Sequence, residues 1–358
     1  MNRLSVPNVS RRRTSRPWAW PHTPLQLPHA QAELAGGPCV VHLVRKANGL
    51  GALRGFADAL RSHPPGIEHE LVLAMKGFHS AEEAKPYLRE VADLEPRTLF
   101  FSDRGFDLGV YFATAARLRR ERYCFLNSNA RPLVDGWLAM LNKALNRPGV
   151  GQVGATGAWA SGHSWFTYSM GLPSAYRGLL PPLPTARELL LEVELEKQGK
   201  QGRSLAEAAA AKLELLRQVP GALLRYEPFP ARNLRTNAFM TTHAALRELP
   251  LFVVKDKLDA YALEGSRESL TSCLRKIGLA SLVVDHMGNV YTPERWDRSR
   301  TLWQGDQEGL LVADNQTLNY TQGDFARRRL LSTLAWGPRA APAPARNEIA
   351  DAPRGAGG

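Results

Sequence analysis

Short apolar runs and stretches of helical periodicity alternate without a break from Cys39 to Thr156, and this alternation limits the fold more than any other property of the chain. CVVHLV (Cys39 to Val44) reads as a strand, and Leu50, Leu53, Phe56, Ala57 and Leu60 then recur at helical spacing before HPPG ends the helix. ELVLAM (Glu70 to Met75) is a second strand, ending at Lys76 and Gly77, and TLFF (Thr98 to Phe101) is a third. The loop SDRGFD opens a helix whose apolar face is Leu108, Tyr111, Phe112, Ala115 and Leu118. YCFL (Tyr123 to Leu126), a helix with Trp137, Leu138, Leu141 and Leu145 on one face, and the strand GVGQVGAT complete the series. Parallel strands need long crossovers, which helices supply on both faces of a sheet with right-handed connections. The order therefore predicts an α/β three-layer sandwich with a mostly parallel central sheet.

The second half is more mixed. It holds a short strand near Asn237 to Met240, a helix from Ser266 to Ile277, the strand ASLVVD and a closing helix around Phe325 to Ala335. Between Tyr168 and Pro228 the texture changes to PPLP followed by a charge-mixed helical stretch, read as an inserted helical pair or lid. Residues 1–36 and 338–358 are rich in Pro, Arg, Gly and Ala without periodicity and read as disordered tails. One domain is expected over 38–337, made of a first half at 38–160, a helical insertion at 169–228 and a second half at 229–337.

The formal charge of +12, from 46 basic and 34 acidic residues, raises nucleic acid, anionic lipid and nucleotide phosphates as partners. The first 36 residues carry five Arg against one Glu, so the tail accounts for four of those charges without any site. A basic nucleic-acid-binding protein is one reading of the balance, but no recognition helix or aromatic RNA-binding strand accompanies it, and no nucleic-acid partner is expected. Cys39, Cys124 and Cys273 lack the spacing of a zinc ribbon or disulfide scaffold, and the first two lie in apolar strands as buried thiols. Arg11, Arg12 and Arg13 precede no apolar stretch, and no run approaches the length of a membrane span. A cytoplasmic protein is expected, with peripheral contact at the inner membrane face as the alternative. A Rossmann dehydrogenase is disfavoured, because NGLGALRG has the wrong glycine spacing for a dinucleotide fingerprint.

Chemistry is expected at the ends of the strands. YCFL stops abruptly at Asn127, Ser128 and Asn129, followed by Arg131, and in open α/β sheets ligands sit outside the carboxyl ends of strands. Asp103 and Asp107 flank the turn after the third strand. Asp107 is placed to cap the following helix, and Gly105 and Gly109 permit close backbone approach. Trp159, Trp165, Phe166 and Tyr168 follow the fifth strand, either as a platform for a flat ligand or as packing under the insertion. ARNLRTNAFM sets Arg232, Arg235 and Asn237 around a strand, and LVADNQTLNY offers Asp314, Asn315, Gln316 and Thr317, either to close over a ligand or as an Asx turn.

In their order, VHLVRKANGLGALRGFADAL, ELVLAMKGF, DRGFDLGVY, YCFLNSNARPLVDGWLAML and GVGQVGAT resemble the nucleotide-sugar half of GT-A-type glycosyltransferases of the family 2 kind. DRGFDLGVY is also similar to the corresponding segment of rhamnan-synthesis proteins. LEGSRESLTSCLRKIGL resembles the acidic segment before a helix in the acceptor half, where such enzymes keep their catalytic base. The likeness covers roughly 38–160 and 229–335. It implies a GT-A-like, Rossmann-type sandwich, a nucleotide-sugar donor, a glycan or lipid-linked acceptor in surface polysaccharide synthesis, and an inverting displacement. Glu264 is the implied catalytic base, with a helix-capping carboxylate as the alternative. The implied donor contacts are Arg45, Asn48, Lys76, Asp103, Arg104, Gly105, Asp107, Asn127, Ser128, Asn129 and Arg131. Trp159, Trp165, Arg235 and Asn237 would meet the acceptor.

The chain departs from that pattern at the strand end. Metal-dependent members place Asp-x-Asp there to hold Mg²⁺ or Mn²⁺ against the diphosphate, whereas this sequence reads Asn127, Ser128, Asn129. Neutral groups bind a hard divalent cation weakly, so no metal ligand and no certain cofactor are assigned. Either Arg45, Lys76, Arg104 or Arg131 replaces the metal as the phosphate clamp, or the domain is a catalytically silent nucleotide-sugar-binding protein.

Overall fold

Val40 to Val44 are all buried. A strand covered on both faces must be apolar at odd and even positions alike, and these residues lie in β1 (Ala35–Arg45), near the middle of the sheet. The computed structural model describes residues 35–103, 106–183, 185–186, 221, 223–249 and 257–343. Most of the expected 169–228 insertion, and the tails 1–34 and 344–358, lie outside the described residues.

β1 pairs in parallel with β2 (Glu70–Lys76) on one side and β4 (Arg120–Leu126) on the other, and β3 (Arg97–Phe101) extends the sheet beyond β2. Beyond β4 come β9 (Ala238–Thr242), β6 (Val150–Gly154), β10 (Ala280–Val284) and β11 (Val290–Tyr291), giving the order β11-β10-β6-β9-β4-β1-β2-β3. β9 runs antiparallel to both β4 and β6, and β11 antiparallel to β10. The mostly parallel α/β sheet expected from the alternation is therefore present. Two short ribbons lie apart from it: β5 (Arg131–Pro132) with β12 (Val312–Ala313), and β7 (Gly157–Ala158) with β8 (Asn233–Leu234).

Successive residues of a strand face opposite sides, and the two cores divide accordingly. Val40, Val44, Cys124 and Leu126 pack with α1 (Gly49–Ser62) and α4 (Trp137–Leu145) through Phe56, Leu60, Trp137 and Leu141. Cys39, Val41, Tyr123 and Phe125 pack on the other face with α3 (Phe106–Leu118), α6 (His243–Arg247), α7 (Lys257–Gly265), α8 (Leu270–Lys276) and α10 (Phe325–Trp336). All three cysteines are buried and free, and burial pushes the Cys39 thiol up to about 12.

Several helices escape the sequence reading, α6 and α7 among them. α2 (Ala81–Glu90) buries only Ala84 and carries Pro86; its start is set by Ser80, whose hydroxyl accepts from the Glu83 amide at 3.2 Å. α9 (Asn315–Gln322) is similarly short of apolar residues, whereas α5 (Gly162–Ser169) carries Trp165, Phe166 and Tyr168 on a helix that the sequence reading did not place. The helix expected over 266–277 is present as α8, capped by Ser269, and Glu264 precedes it in the last turn of a separate helix, α7. At the C-terminal side, residues beyond 337 continue the fold. The Gly305 amide donates to the Ala341 carbonyl at 2.7 Å, and Gln304 Nε2 to Arg339 at 2.8 Å. No helix of the described residues is long and apolar enough to cross a membrane.

One buried group is a liability. His42 of β1 stacks on Phe56 with ring centroids 3.7 Å apart, and neither ring nitrogen has a hydrogen-bond partner among the described residues. Burial lowers its pKa to about 3. An unpaired buried donor costs about 1–3 kcal/mol, so His42→Leu is expected to raise stability by about that amount in denaturant unfolding at pH 7. From pH 6.5 down to about 3 the unfolded state binds a proton that the folded state refuses, so stability falls as pH falls across that window. The variant should lose that part of its acid sensitivity; an unchanged acid midpoint would clear His42 of the role.

Candidate active site

β1 is where the order of the chain reverses, with β2 on one side and β4 on the other, and such a switch point leaves a crevice at the carboxyl ends of the strands. Because β9 is antiparallel, it brings its amino end to the same rim. The Asn127 amide donates to the Asn237 carbonyl at 2.8 Å, joining positions far apart in sequence. A cleft of about 660 Å³ lies over this rim. Arg45 and Asn48 reach it from the end of β1, Asn127, Ser128 and Asn129 from β4, and Arg235, Thr236 and Asn237 from the start of β9. Asp107 and Leu108 of α3, Tyr261 and Glu264 of α7, Asp314 to Gln316 and Asn319 at α9, and Ala47 complete the lining.

Local hydrogen bonds fix these side chains. Asn127 Oδ1 accepts from the Asn129 amide at 3.0 Å, an Asx turn, while its Nδ2 donates to Asp314 Oδ2 at 3.3 Å. Asn48 Nδ2 donates to the Ser128 hydroxyl. Asp314 caps α9, its Oδ1 accepting from the Gln316 and Thr317 amides at 3.1 and 3.0 Å, and the Thr317 hydroxyl closes a capping box. Asn237 Oδ1 accepts from the Thr156 hydroxyl at 2.7 Å. Arg235 donates to Gln316 and lies over the Trp303 ring, 5.9 Å from its centroid. Glu264 Oε1 accepts from the Thr236 hydroxyl at 2.7 Å.

The charges around the cleft range from buried Lys76 and Asp314 to the exposed side chains of Arg45 and Asp103. Burial pushes the Glu264 carboxyl up, and Asp107 and Asp314 add to that rise, while Arg235 and the Thr236 hydrogen bond oppose it. Asp107 is raised by burial against the pull of Lys76 and Arg45. The Lys76 ammonium, itself buried, is lowered by desolvation and sits 3.8 Å from Asp103, which Arg45 Nε also meets at 3.3 Å.

Of the residues singled out in the sequence, Arg45, Asn48, Asp107, Asn127, Ser128, Asn129, Arg235, Asn237 and Glu264 share the cleft. Lys76 and Asp103 stand beside it through their ion pairs, and Arg104 and Gly105 lie outside the described residues. Three expectations are corrected. Arg131 turns away: β5 pairs it with Ala313, and its guanidinium lies so close to α1 that a Cβ on Gly55 would stand 2.7 Å from Cζ. Trp159 is buried against Trp336, with Nε1 donating to the Pro293 carbonyl at 2.7 Å, and Trp165 of α5 packs beside Tyr168, so both indoles serve packing rather than the cleft. Asp107 lies inside the first turn of α3 rather than before it.

No family model matches the sequence, and no curated protein does. Among solved structures, the mannosyltransferase PcManGT from Pyrobaculum calidifontis, in complex with GDP-Man and Mn²⁺, is similar over 32% of this chain and 34% of its own, with 16% identity and a TM-score of 0.27. GalNAc-T7, solved with UDP, GalNAc and Mn²⁺, is similar over 32% of this chain and 22% of its own, with 16% identity and a TM-score of 0.26. This chain thus spans about a third or less of the length of each.

The donor set at the rim does not suit a hard divalent cation. Asn127 spends its carbonyl on Asn129 and its amide on Asp314, Ser128 accepts from Asn48, and no group of three or more His, Cys, Asp or Glu among the described residues could hold a metal ion. Four cleft residues were missed in the sequence: Ala47, Thr236, Tyr261 and Asn319. Thr236 stands between two residues already singled out, and Tyr261 lies one helical turn before Glu264. Tyr111, expected on the apolar face of α3, is buried there with its hydroxyl unpartnered among the described residues, and the charges of Asp107 and Glu264 both act on it.

Proposed function

We propose that this protein is a GT-A-like glycosyltransferase, moving a sugar from a nucleotide-sugar donor to an acceptor hydroxyl in the synthesis of a surface glycan. The observation that carries this reading is the Glu264 carboxyl. It is held in a cleft at the sheet's switch point and raised above the ordinary carboxylate range, and it keeps one oxygen uncommitted to Thr236. A general base works best when its pKa approaches the working pH, and burial supplies that shift here. In the proposed step the acceptor oxygen forms a bond to the anomeric carbon and its proton passes to Glu264. The bond from that carbon to the phosphate oxygen breaks, and its electron pair leaves with the diphosphate. Arg45 supplies positive charge for the departing group, with Lys76 behind it holding Asp103 and Asp107 in place. Asn48, Asn127, Ser128 and Asn129 offer donors and acceptors to sugar and ribose hydroxyls.

No step is routed through a metal. Thermal-shift measurement of the full chain against UDP-, GDP-, dTDP- and CMP-sugars should find a donor that raises the melting temperature, because a ligand bound only by the folded state stabilises it. The shift should be the same with Mn²⁺ and with EDTA. A shift that appears only with Mn²⁺ would return the site to metal-dependent chemistry, and binding without sugar transfer or donor hydrolysis would make the protein a silent binder.

A further inference from the structure

We infer that Tyr111 is a positioning residue for the reaction, its hydroxyl donating to the Glu264 carboxylate when that group is ionised to receive the acceptor's proton. This rests on the transferase reading and adds to it the group that supports the base. Tyr111 is fully buried, and its hydroxyl has no partner among the described residues. The three other fully buried tyrosines are committed: Tyr123 donates to the Ala115 carbonyl at 3.0 Å, Tyr176 to the Leu334 carbonyl at 2.8 Å and Tyr320 to the Gly305 carbonyl at 2.9 Å. Buried polar groups are bonded as a rule, and an exception beside a functional site points to a working role.

The fold aims this side chain at the cleft. α3 starts at the rim, where Asp107 and Leu108 line the cleft, and Tyr111 follows one turn later on the same face as Asp107. Helical side chains lean toward the amino end of their helix, so the Tyr111 ring points back toward that rim. It is stacked on Phe125 with centroids 4.8 Å apart and edge-on to Phe239 at 6.1 Å. These two phenylalanines pair across β4 and β9, and each stands two residues from a cleft asparagine, Asn127 or Asn237. α3 also packs against α7, which carries Glu264. The hydroxyl is therefore enclosed beneath the rim by the elements that build the site. Burial raises the phenol well above its ordinary value, and Asp107 and then Glu264 add to the rise. Tyr111 keeps its own proton throughout, and a donor is what it offers.

Glu264 is the carboxyl that needs one. Asp107 draws on two cations, Lys76 and Arg45, whereas Glu264 draws on Arg235 and is opposed by both Asp107 and Asp314. A carboxylate has about four lone-pair sites, and Thr236 takes one of them, which leaves room for the acceptor hydroxyl and for Tyr111. Catalytic hydrogen bonds that are long or absent in an empty site commonly tighten in the loaded one.

The test compares the full-length wild type with Tyr111→Phe, which keeps the ring on Phe125 and Phe239 and removes only the hydroxyl. The readout is hydrolysis of UDP-, GDP- and dTDP-sugars, water standing in for the acceptor, followed as nucleoside diphosphate release across the acid limb of kcat. A carboxylate that loses a donor is harder to ionise, so the limb should move to higher pH by about half a unit or more, roughly a threefold loss of rate on its acid side. The rate above the limb should stay within about twofold of wild type. The melting temperature at pH 7 should equal or exceed that of wild type, since no hydrogen bond of the resting fold is removed. In the Glu264→Gln background the same substitution should leave the residual rate and its pH dependence unchanged. An unmoved limb, or a loss of rate uniform across pH, overturns the role of Tyr111 and leaves the transferase reading intact. So does a lower melting temperature, which would mean that the hydroxyl is already bonded in the resting fold. Absence of both hydrolysis and sugar transfer in the wild type overturns the two together.

Discussion

Glu264→Gln lowers the rate of sugar transfer by about 10²–10⁴, the range general-base catalysis contributes, and leaves donor affinity within about twofold of the wild type. Gln keeps the shape of the side chain and still offers a carbonyl oxygen to the Thr236 hydroxyl, so the loss is one of proton transfer rather than geometry. The acid limb of the kcat profile should lie above the ordinary glutamate value of about 4.3, following the upward shift of the Glu264 carboxyl, and it should vanish in the variant. Stability moves the other way. Between the unfolded and folded pKa values the native state holds a proton that the unfolded chain has released, so stability falls as pH rises through that window. The Gln variant should therefore melt at a higher temperature than wild type at neutral pH, with the difference fading below the unfolded value. Full activity in Glu264→Gln would remove the residue from the mechanism.

Arg45→Ala weakens nucleoside diphosphate binding by roughly 10–100-fold, the worth of a charge-assisted hydrogen bond of about 1.5–3 kcal/mol, whereas Arg131→Ala leaves it unchanged. The contrast follows from position. Arg45 extends from the end of β1 into the cleft with its Nε on Asp103, while Arg131 lies along α1. Titration calorimetry with UDP and GDP at two salt concentrations separates the cases, since an exposed phosphate contact loses strength as salt rises. Equal losses in both variants would mean that general surface charge, not Arg45, attracts the diphosphate.

Much of this site was legible because strand ends announce themselves. Arg45, Asn48, Asn127, Ser128 and Asn129 follow apolar runs, and the switch-point rule says where such residues gather. Direction was harder to read than location. Arg131 stands two residues past Asn129, yet the ribbon with β12 aims it at α1, a pairing set by residues far downstream. Trp159 carried the same ambiguity, and packing against Trp336, near the far end of the fold, resolved it. Tyr261 was hidden because no helix was expected over 257–265, so nothing placed it on the same face as Glu264. Asp314 to Gln316 were visible as polar density, but only the cap of α9 and the bond from Asn127 give them their place.

The reversed central strand also sets a timetable for synthesis. On the ribosome β4 is finished at Leu126, but its partner β9 begins only at Ala238, and β6, complete at Gly154, waits for the same strand. At roughly 5–20 residues per second, the nascent chain carries one open edge of β4 and both edges of β6, whose other partner β10 begins only at Ala280, for several seconds, each a template for pairing with another chain. A chain that stops short of β9 cannot finish its own sheet.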